Sequence, residues 1–312
     1  MPEEIPTRNA YGEALVELGQ EKEDIVVLDA DLSGSTRTGY FEEEFPDRFF
    51  QMGIAEQNLM GTAAGLATCG KIPFASTFAV FGSARVADQL RNSIAYPELN
   101  VKIAVTHAGV TVGPDGATHQ SVEDLSIVRG IPNLTVIVPA DYVEAKAVTK
   151  AAAEHHGPVY LRFGRVGTPA VFSEDDYQFE WGQVQVVEEG SDITIFATGI
   201  MLAQALTARE ELMKEGIEAE VVNVHTIKPL DVAGVINSIK KTGAAVTAEE
   251  HNIYGGLGSA IAEAVSENHP VRLKRVGIED RFGKSGEPKE LLKEYGLTEQ
   301  EIITAVKEVL DK

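Results

Sequence analysis

Three stretches of this sequence combine residue types that can move protons or grip a flat ring. In GIAEQNLMG, Glu56 follows a strand-like run and a glycine and opens a helix-like run. A carboxylate placed there either complements the helix dipole and satisfies free amides or serves in acid–base chemistry. In FASTFAVFG, Phe78 and Phe81 are three apart where a strand passes into a helix. Such rings ordinarily pack in cores, but at the carboxyl end of a strand they can also clasp a planar ligand. In THAGVTVGPDGATHQSVED, His107, Asp115 and His119 lie in a glycine-rich loop too polar for a core crossing. Their spacings of 8 and 4 match no ordinary zinc pattern, so no metal ligand is assigned. Imidazoles that donate and accept near neutral pH suit proton transfer and hydrogen bonding to a polyol.

The elements that must hold these residues follow from the hydrophobic pattern. Short β-branched runs (DIVVLDAD, KIPFAS, VKIAVT, LTVIVP, PVYLRFG) alternate with helical patterns over 55–70, 82–96 and 141–155. This α/β alternation predicts a parallel sheet with helices on both faces, covering a first domain at 1–165. Residues 166–190 break the rhythm with Gly, Pro and acidic residues and are predicted to be a linker with a small hairpin. A second alternation runs through DITIFATG, AEVVNVHT, AAVTAEEH and VRLKRVGIED, with helices at 200–215, 231–241 and 257–267 and two more from 288 and 298. It predicts a smaller α/β domain at 191–312. Ligands of open α/β sheets gather at the carboxyl ends of strands, which points to the loops after VVLDAD, RFFQMG, FAST and IAVTH.

Composition sets the outer limits. A chain of 312 residues with 44% hydrophobic and 24% charged residues suits two soluble domains. Its net charge of −21 argues against a nucleic-acid partner and against an anionic membrane, and an anionic metabolite would need a local cationic pocket. The single cysteine, Cys69, excludes an internal disulfide and is expected to pack within a small-residue helix. The opening MPEEIPTRNA has no signal-peptide character, and no apolar run nears the ~18 residues of a membrane span, so a cytoplasmic location is expected.

GIAEQ, STFAVF, GPDGATHQSVED, IPNLTVIVPAD, TIKPLD, EEHNIYGGLGSAIAE and DRFGKSG occur in that order. Together they resemble the transketolase family of thiamine diphosphate enzymes almost end to end: a pyrimidine-binding domain followed by the smaller transketolase C-terminal domain. The resemblance implies that Glu56 hydrogen-bonds the cofactor's aminopyrimidine as a donor, which a desolvated site would favour. It implies that Phe78 and Phe81 cradle that ring and that Asp31 adds a cofactor contact. A third aromatic of many transketolases is replaced here by Ala84. By the same resemblance His107 and His119 act on the reacting oxygens of a sugar, Asp115 reads a hydroxyl, and Arg8, Ser35 and one of Arg162 and Arg165 grip a sugar phosphate.

In full-length transketolases a Gly-Asp-Gly motif and a downstream Asn hold Mg²⁺ and the diphosphate. The Asp-Gly step here, Asp115-Gly116, falls in the substrate loop. The resemblance therefore implies the C-terminal subunit of a split transketolase. It would share thiamine diphosphate and Mg²⁺ with an N-terminal subunit, in an α2β2 assembly that moves a two-carbon ketol unit from a ketose phosphate to an aldose phosphate. GIAEQ also resembles 1-deoxyxylulose-5-phosphate synthase, and the two-chain plan resembles the β subunit of 2-oxoacid dehydrogenases. His107 with Asp115 and His119 favours the ketose reading. A non-catalytic scaffold or regulatory paralogue with the same fold is the reading from another class. The EEHNIYGGLG loop lacks the strand-to-helix Gly-x-Gly context of a phosphate loop and is expected to serve packing in the second domain.

Overall fold

The structure, a computed structural model, describes residues 4–311. The first half runs β1 (Ile5–Pro6), α1 (Thr7–Glu21), β2 (Ile25–Asp29), α2 (Ser33–Thr36), α3 (Gly39–Glu44), β3 (Phe49–Gln51), α4 (Glu56–Thr68), β4 (Ile72–Phe78), β5 (Lys102–Thr106), α5 (Asp124–Arg129), β6 (Thr135–Ile137), α6 (Tyr142–Glu154), β7 (Val159–Arg162) and β8 (Gly167–Thr168). The second half runs β9 (Gln185–Glu188), β10 (Ile193–Ala197), α7 (Met201–Lys214), β11 (Ala219–Asn223), β12 (Thr226–Lys228), α8 (Val232–Thr242), β13 (Ala244–Asn252), α9 (Leu257–Asn268), β14 (Arg272–Ile278), α10 (Pro288–Glu294) and α11 (Glu299–Leu310).

Alternation within single strands explains the layering. Ile25 and Val27 of β2 join Tyr11, Leu15 and Leu18 of α1 and Val148 of α6 on one side of the sheet. Val26 and Leu28 join Leu59, Met60 and Ala63 of α4 on the other. A strand buried on both faces reads as an uninterrupted apolar run, which is what IVVLD is. The sheet order is β12-β6-β7-β5-β4-β2-β3. Strands β6, β7, β5, β4, β2 and β3 are parallel, and β12 closes one edge antiparallel to β6. The second sheet, β14-β13-β10-β11-β9, is parallel except for β9 at its edge. Buried side chains continue from the first sheet through Val222, Val224, Ile239 and Leu257 of the second half.

Several expectations change. The 166–190 segment forms no hairpin: β8 pairs with β1, while β9 pairs with β11 in the other sheet. The segment's two ends are claimed by different partners. The 82–96 helix breaks into a 3₁₀ turn at Ala84–Val86 and a π-helical run at Gln89–Ala95. A side chain at Gly82 would sit 2.5 Å from Val105, so the chain hugs β5 before it can wind. Cys69 is exposed just beyond α4 rather than packed. Among the described residues no helix is long and apolar enough to cross a membrane, and no group of three or more His, Cys, Asp or Glu side chains is placed to hold a metal ion.

Candidate active site

Helix α4 buries Glu56, Leu59, Met60, Ala63 and Ala64, one face at a spacing of three and four. The same face that packs on the sheet thus carries Glu56, 3% exposed, at the helix's first position. Its Oε1 accepts a hydrogen bond from Arg85 at 2.6 Å. The Arg85 guanidinium also lies over the Phe81 ring, 4.3 Å from its centroid, and the Arg85 carbonyl accepts from Gln57 Nε2 at 3.2 Å. Toward Arg85 the Glu56 carboxylate accepts, whereas the expected donor role is toward a cofactor ring. Sequence reasoning did not single out Arg85, whose only signal was a cation following the two phenylalanines.

Phe78 and Phe81 differ in what they offer. Phe78 is buried and stacks on His107, with centroids 3.8 Å apart and planes 20° apart. Phe81 is half-buried, lies near-parallel to Phe78 at 6.0 Å and is met edge-on by His119 at 5.6 Å. Of the pair, Phe81 is the more accessible, with the Arg85 guanidinium over its ring, and Phe78 backs His107. Ala84 is exposed and adds no ring.

A basic wall adjoins this ring cluster. Arg8, on α1, donates to the Ser35 carbonyl at 2.8 Å and faces His107 Nε2 at 3.4 Å. Burial first, then the neighbouring charges of Arg37 and Arg165, lower Arg8 to about 10. Burial, with Arg8, Arg165 and Arg37, lowers His107 to about 3, so its ring is neutral near pH 7. A guanidinium has no acceptor, so Nε2 must accept; the ring proton then sits on Nδ1, which donates to Thr106 Oγ1 at 2.7 Å. Arg8 Nε is buried without a partner, a donor left over beside the two cations Arg37 and Arg165. Arg37 is a further cation that the sequence reading did not name. Its Nε donates to Asn9 at 2.9 Å, and its loop is pinned by Asp29, which accepts from Thr36 and Thr38 hydroxyls and the Leu32 amide.

Ser35 and Asp31 ride on that loop. Ser35 engages Arg8 through its carbonyl, and Asp31 is exposed at a positive φ of 63°, its amide bonded to Gln51 Oε1. Arg165 faces Asp115 at 3.3 Å and donates to the Val112 carbonyl. Arg162 does not belong to this wall. It is 5% exposed and grips Asp124 through Nε at 2.8 Å and Nη2 at 3.1 Å, with the Glu250 carbonyl accepting at 3.1 Å. Held this way Arg162 is nearly closed off, whereas the Arg165 side chain is 33% exposed and is the more accessible of the two.

The His107–His119 loop is held from below by the second half of the chain. Glu250 accepts the Thr111 amide at 2.7 Å. Gly109, at φ +76°, leaves room for that carboxylate, since a Cβ would meet it at 2.2 Å. Burial pushes Glu250 up to about 7 against the pull of Arg162 and the Thr111 amide. Gln120 Nε2 donates to the carbonyls of Val110 and Lys284 at 3.0 and 2.9 Å. Glu249 accepts the Leu257 and Gly258 amides at 2.7 Å and so caps α9. EEHNIYGGLG and DRFGKSG thus brace the loop and cap a helix.

Comparisons with known proteins agree with this architecture. The model of the transketolase pyrimidine-binding domain matches residues 3–169, and that of the transketolase C-terminal domain matches 182–302. A Methanocaldococcus jannaschii protein named as a transketolase C-terminal section is 51% identical over 98% of this chain and 96% of its own length. The 6-deoxy-6-sulfo-D-fructose transketolase subunit of Clostridium sp. strain MSTE9 is 46% identical over 99% and 96%. The solved inactive β4 tetramer of a split-gene transketolase superposes with a TM-score of 0.92 at 56% identity, over 98% of this chain and 99% of that one. With both domain models matched in sequence and relatives of this identity spanned almost end to end, the chain belongs to the transketolase family.

Proposed function

We propose that this chain is the C-terminal subunit of a two-chain transketolase that passes a two-carbon ketol unit from a ketose phosphate to an aldose phosphate. One observation carries the reading: in a chain of net charge −21, Arg8, Arg37 and Arg165 converge on the neutral ring of His107, beside Phe81 and Glu56. Such a cluster supplies the cationic pocket that an anionic sugar requires. The family uses thiamine diphosphate and a divalent metal. Residues here fit the pyrimidine end of that cofactor, because a flat N–H-bearing group, the Arg85 guanidinium, already seats against Phe81 and Glu56.

When bound, thiamine diphosphate supplies the nucleophilic carbon and the electron sink for C–C cleavage. Phe81 and Glu56 hold its pyrimidine, with Phe78 behind and Asp31 as a further contact. His107, protonated on Nδ1, offers Nε2 as an acceptor to a sugar hydroxyl, and His119 orients the sugar from the other edge of Phe81. Asp115 reads hydroxyl configuration, while Arg8, Arg165 and the Ser35 loop bind the distal phosphate. Mg²⁺ and the diphosphate fall to an N-terminal partner subunit, in an α2β2 assembly. That the β4 tetramer of a split-gene relative is described as inactive supports this division of labour.

The test is reconstitution. The chain alone, with Mg²⁺ and thiamine diphosphate, is expected to show no ketol transfer, and transfer should appear on adding a partner with Gly-Asp-Gly and a downstream Asn. Transfer by the chain alone would sink the two-chain reading. Within the complex, Arg165→Ala should raise KM for a phosphorylated acceptor about 10- to 100-fold while sparing an unphosphorylated one, the span expected for a lost hydrogen bond to a charged group. A uniform loss on both acceptors would remove Arg165 from the phosphate site.

A further inference from the structure

Arg85 stands at the centre of the seat assigned above to the aminopyrimidine, yet the proposed reaction gives it no part. Three contacts fix it there. Its Nη1 donates to Glu56 Oε1 at 2.6 Å, its guanidinium covers Phe81 at 4.3 Å, and Gln57, the neighbour of Glu56, tethers its carbonyl at 3.2 Å. A guanidinium is planar, delocalised and rich in N–H donors, so it satisfies a carboxylate and an aromatic face at once. An aminopyrimidine is also planar and bears nitrogen groups on its edge. The two groups ask the same things of the same two residues.

They cannot both be served. A guanidinium over Phe81 leaves no room for a second flat ring on that face. The Glu56 oxygen that accepts from Arg85 is not free to donate to a ring nitrogen. Arg85 is able to leave: its side chain is 45% exposed, against 4% for Glu56. The pair therefore joins a fixed carboxylate to a cation with an open path to solvent.

We propose that Arg85 is a resident stand-in for the aminopyrimidine, holding Glu56 and covering Phe81 until the cofactor displaces it. It keeps a buried carboxylate partnered while the seat is free of cofactor, and its departure frees Glu56 as the ring arrives. Readiness for catalysis is thereby tied to cofactor capture. The proposal rests on the assignment of Glu56 and Phe81 as pyrimidine contacts.

Two measurements test it. In the assembled two-chain enzyme with Mg²⁺, calorimetry should show thiamine diphosphate bound about 3- to 30-fold more tightly by Arg85→Ala, the gain expected from a half-exposed ion pair and a cation–π contact that need no longer be broken. Arg85→Lys should fall between the two, since an ammonium pairs with Glu56 but does not lie flat on Phe81. Equal or weaker binding by Arg85→Ala overturns the proposal. In the free chain labelled with ¹⁵N-arginine, the Arg85 guanidinium should show hindered rotation that is lost in Phe81→Ala; free rotation in the parent chain also overturns it. The two readings fail separately. Full turnover in Glu56→Ala strikes the pyrimidine assignment itself, whereas unchanged affinity in Arg85→Ala beside an inactive Glu56→Ala strikes only the stand-in.

Discussion

Replacing Glu56 with alanine in the two-chain enzyme is expected to lower turnover by about 10²- to 10⁴-fold, the range over which a positioned acid or base contributes. Glu56→Gln should fall almost as far, because an amide keeps the shape but has no proton to transfer. The position permits no easy substitute. Glu56 is buried on the inner face of α4, so water does not reach it freely to take over its place. Steady-state rates at saturating cofactor, with binding measured separately, check the expectation. A Glu56→Ala enzyme that turns over near the parent rate would take this carboxylate out of the reaction.

A second large effect is expected on stability. Asp124 is fully buried and accepts two hydrogen bonds from Arg162 and one from Tyr160 at 3.1 Å. Asp124→Ala leaves the guanidinium of Arg162 buried without its counter-ion, which should cost about 3–5 kcal/mol of unfolding free energy. Burial by itself would raise this carboxyl, but the Arg162 guanidinium prevails and holds Asp124 below the usual aspartate range. The sign follows from a depressed folded value. The contribution is whole above the ordinary aspartate value of about 3.9 and is lost as pH falls through the lower folded one. Denaturant unfolding of the parent and of Asp124→Asn from neutral pH into acid would show it. The parent should lose stability in acid more steeply than the variant, and parallel curves would mean the pair carries no such linkage.

Much of this fold is legible in the sequence. IVVLD, IPFASTF and KIAVT are buried along their whole length, and a buried parallel strand advertises itself by a continuous apolar run. Helix α1 is absent from the helices the sequence pattern predicts. It is covered on most sides, with Gly12 against Arg37 and Tyr40 and Gly19 against Phe41 and Phe45, so its apolar residues mark no single stripe. The site divides the same way. Glu56, Phe81, His107 and His119 carry motif-level signals and come together. Arg162 and Arg165 are equivalent in the sequence, and only the fold reveals that Asp124, from a segment 38 residues away, has claimed one of them. Arg37, Arg85 and Glu250 act through neighbours distant in the chain, and no local pattern announces a residue whose meaning is its partner.

Strand β12 has a consequence for how this protein can be taken apart. It lies well past the second family-matched boundary at residue 182, yet it hydrogen-bonds to β6 in the first sheet, pairing Thr226 with Ile137 and Lys228 with Val136. Lys228 then reaches on to the carbonyls of Arg129 and Ile131. The seam between the two matched segments in the sequence is therefore not a seam in space. A gene cut between 169 and 182 would strip an edge from one sheet and strand its missing member on the other fragment, so the first sheet closes only when both halves are present in one chain.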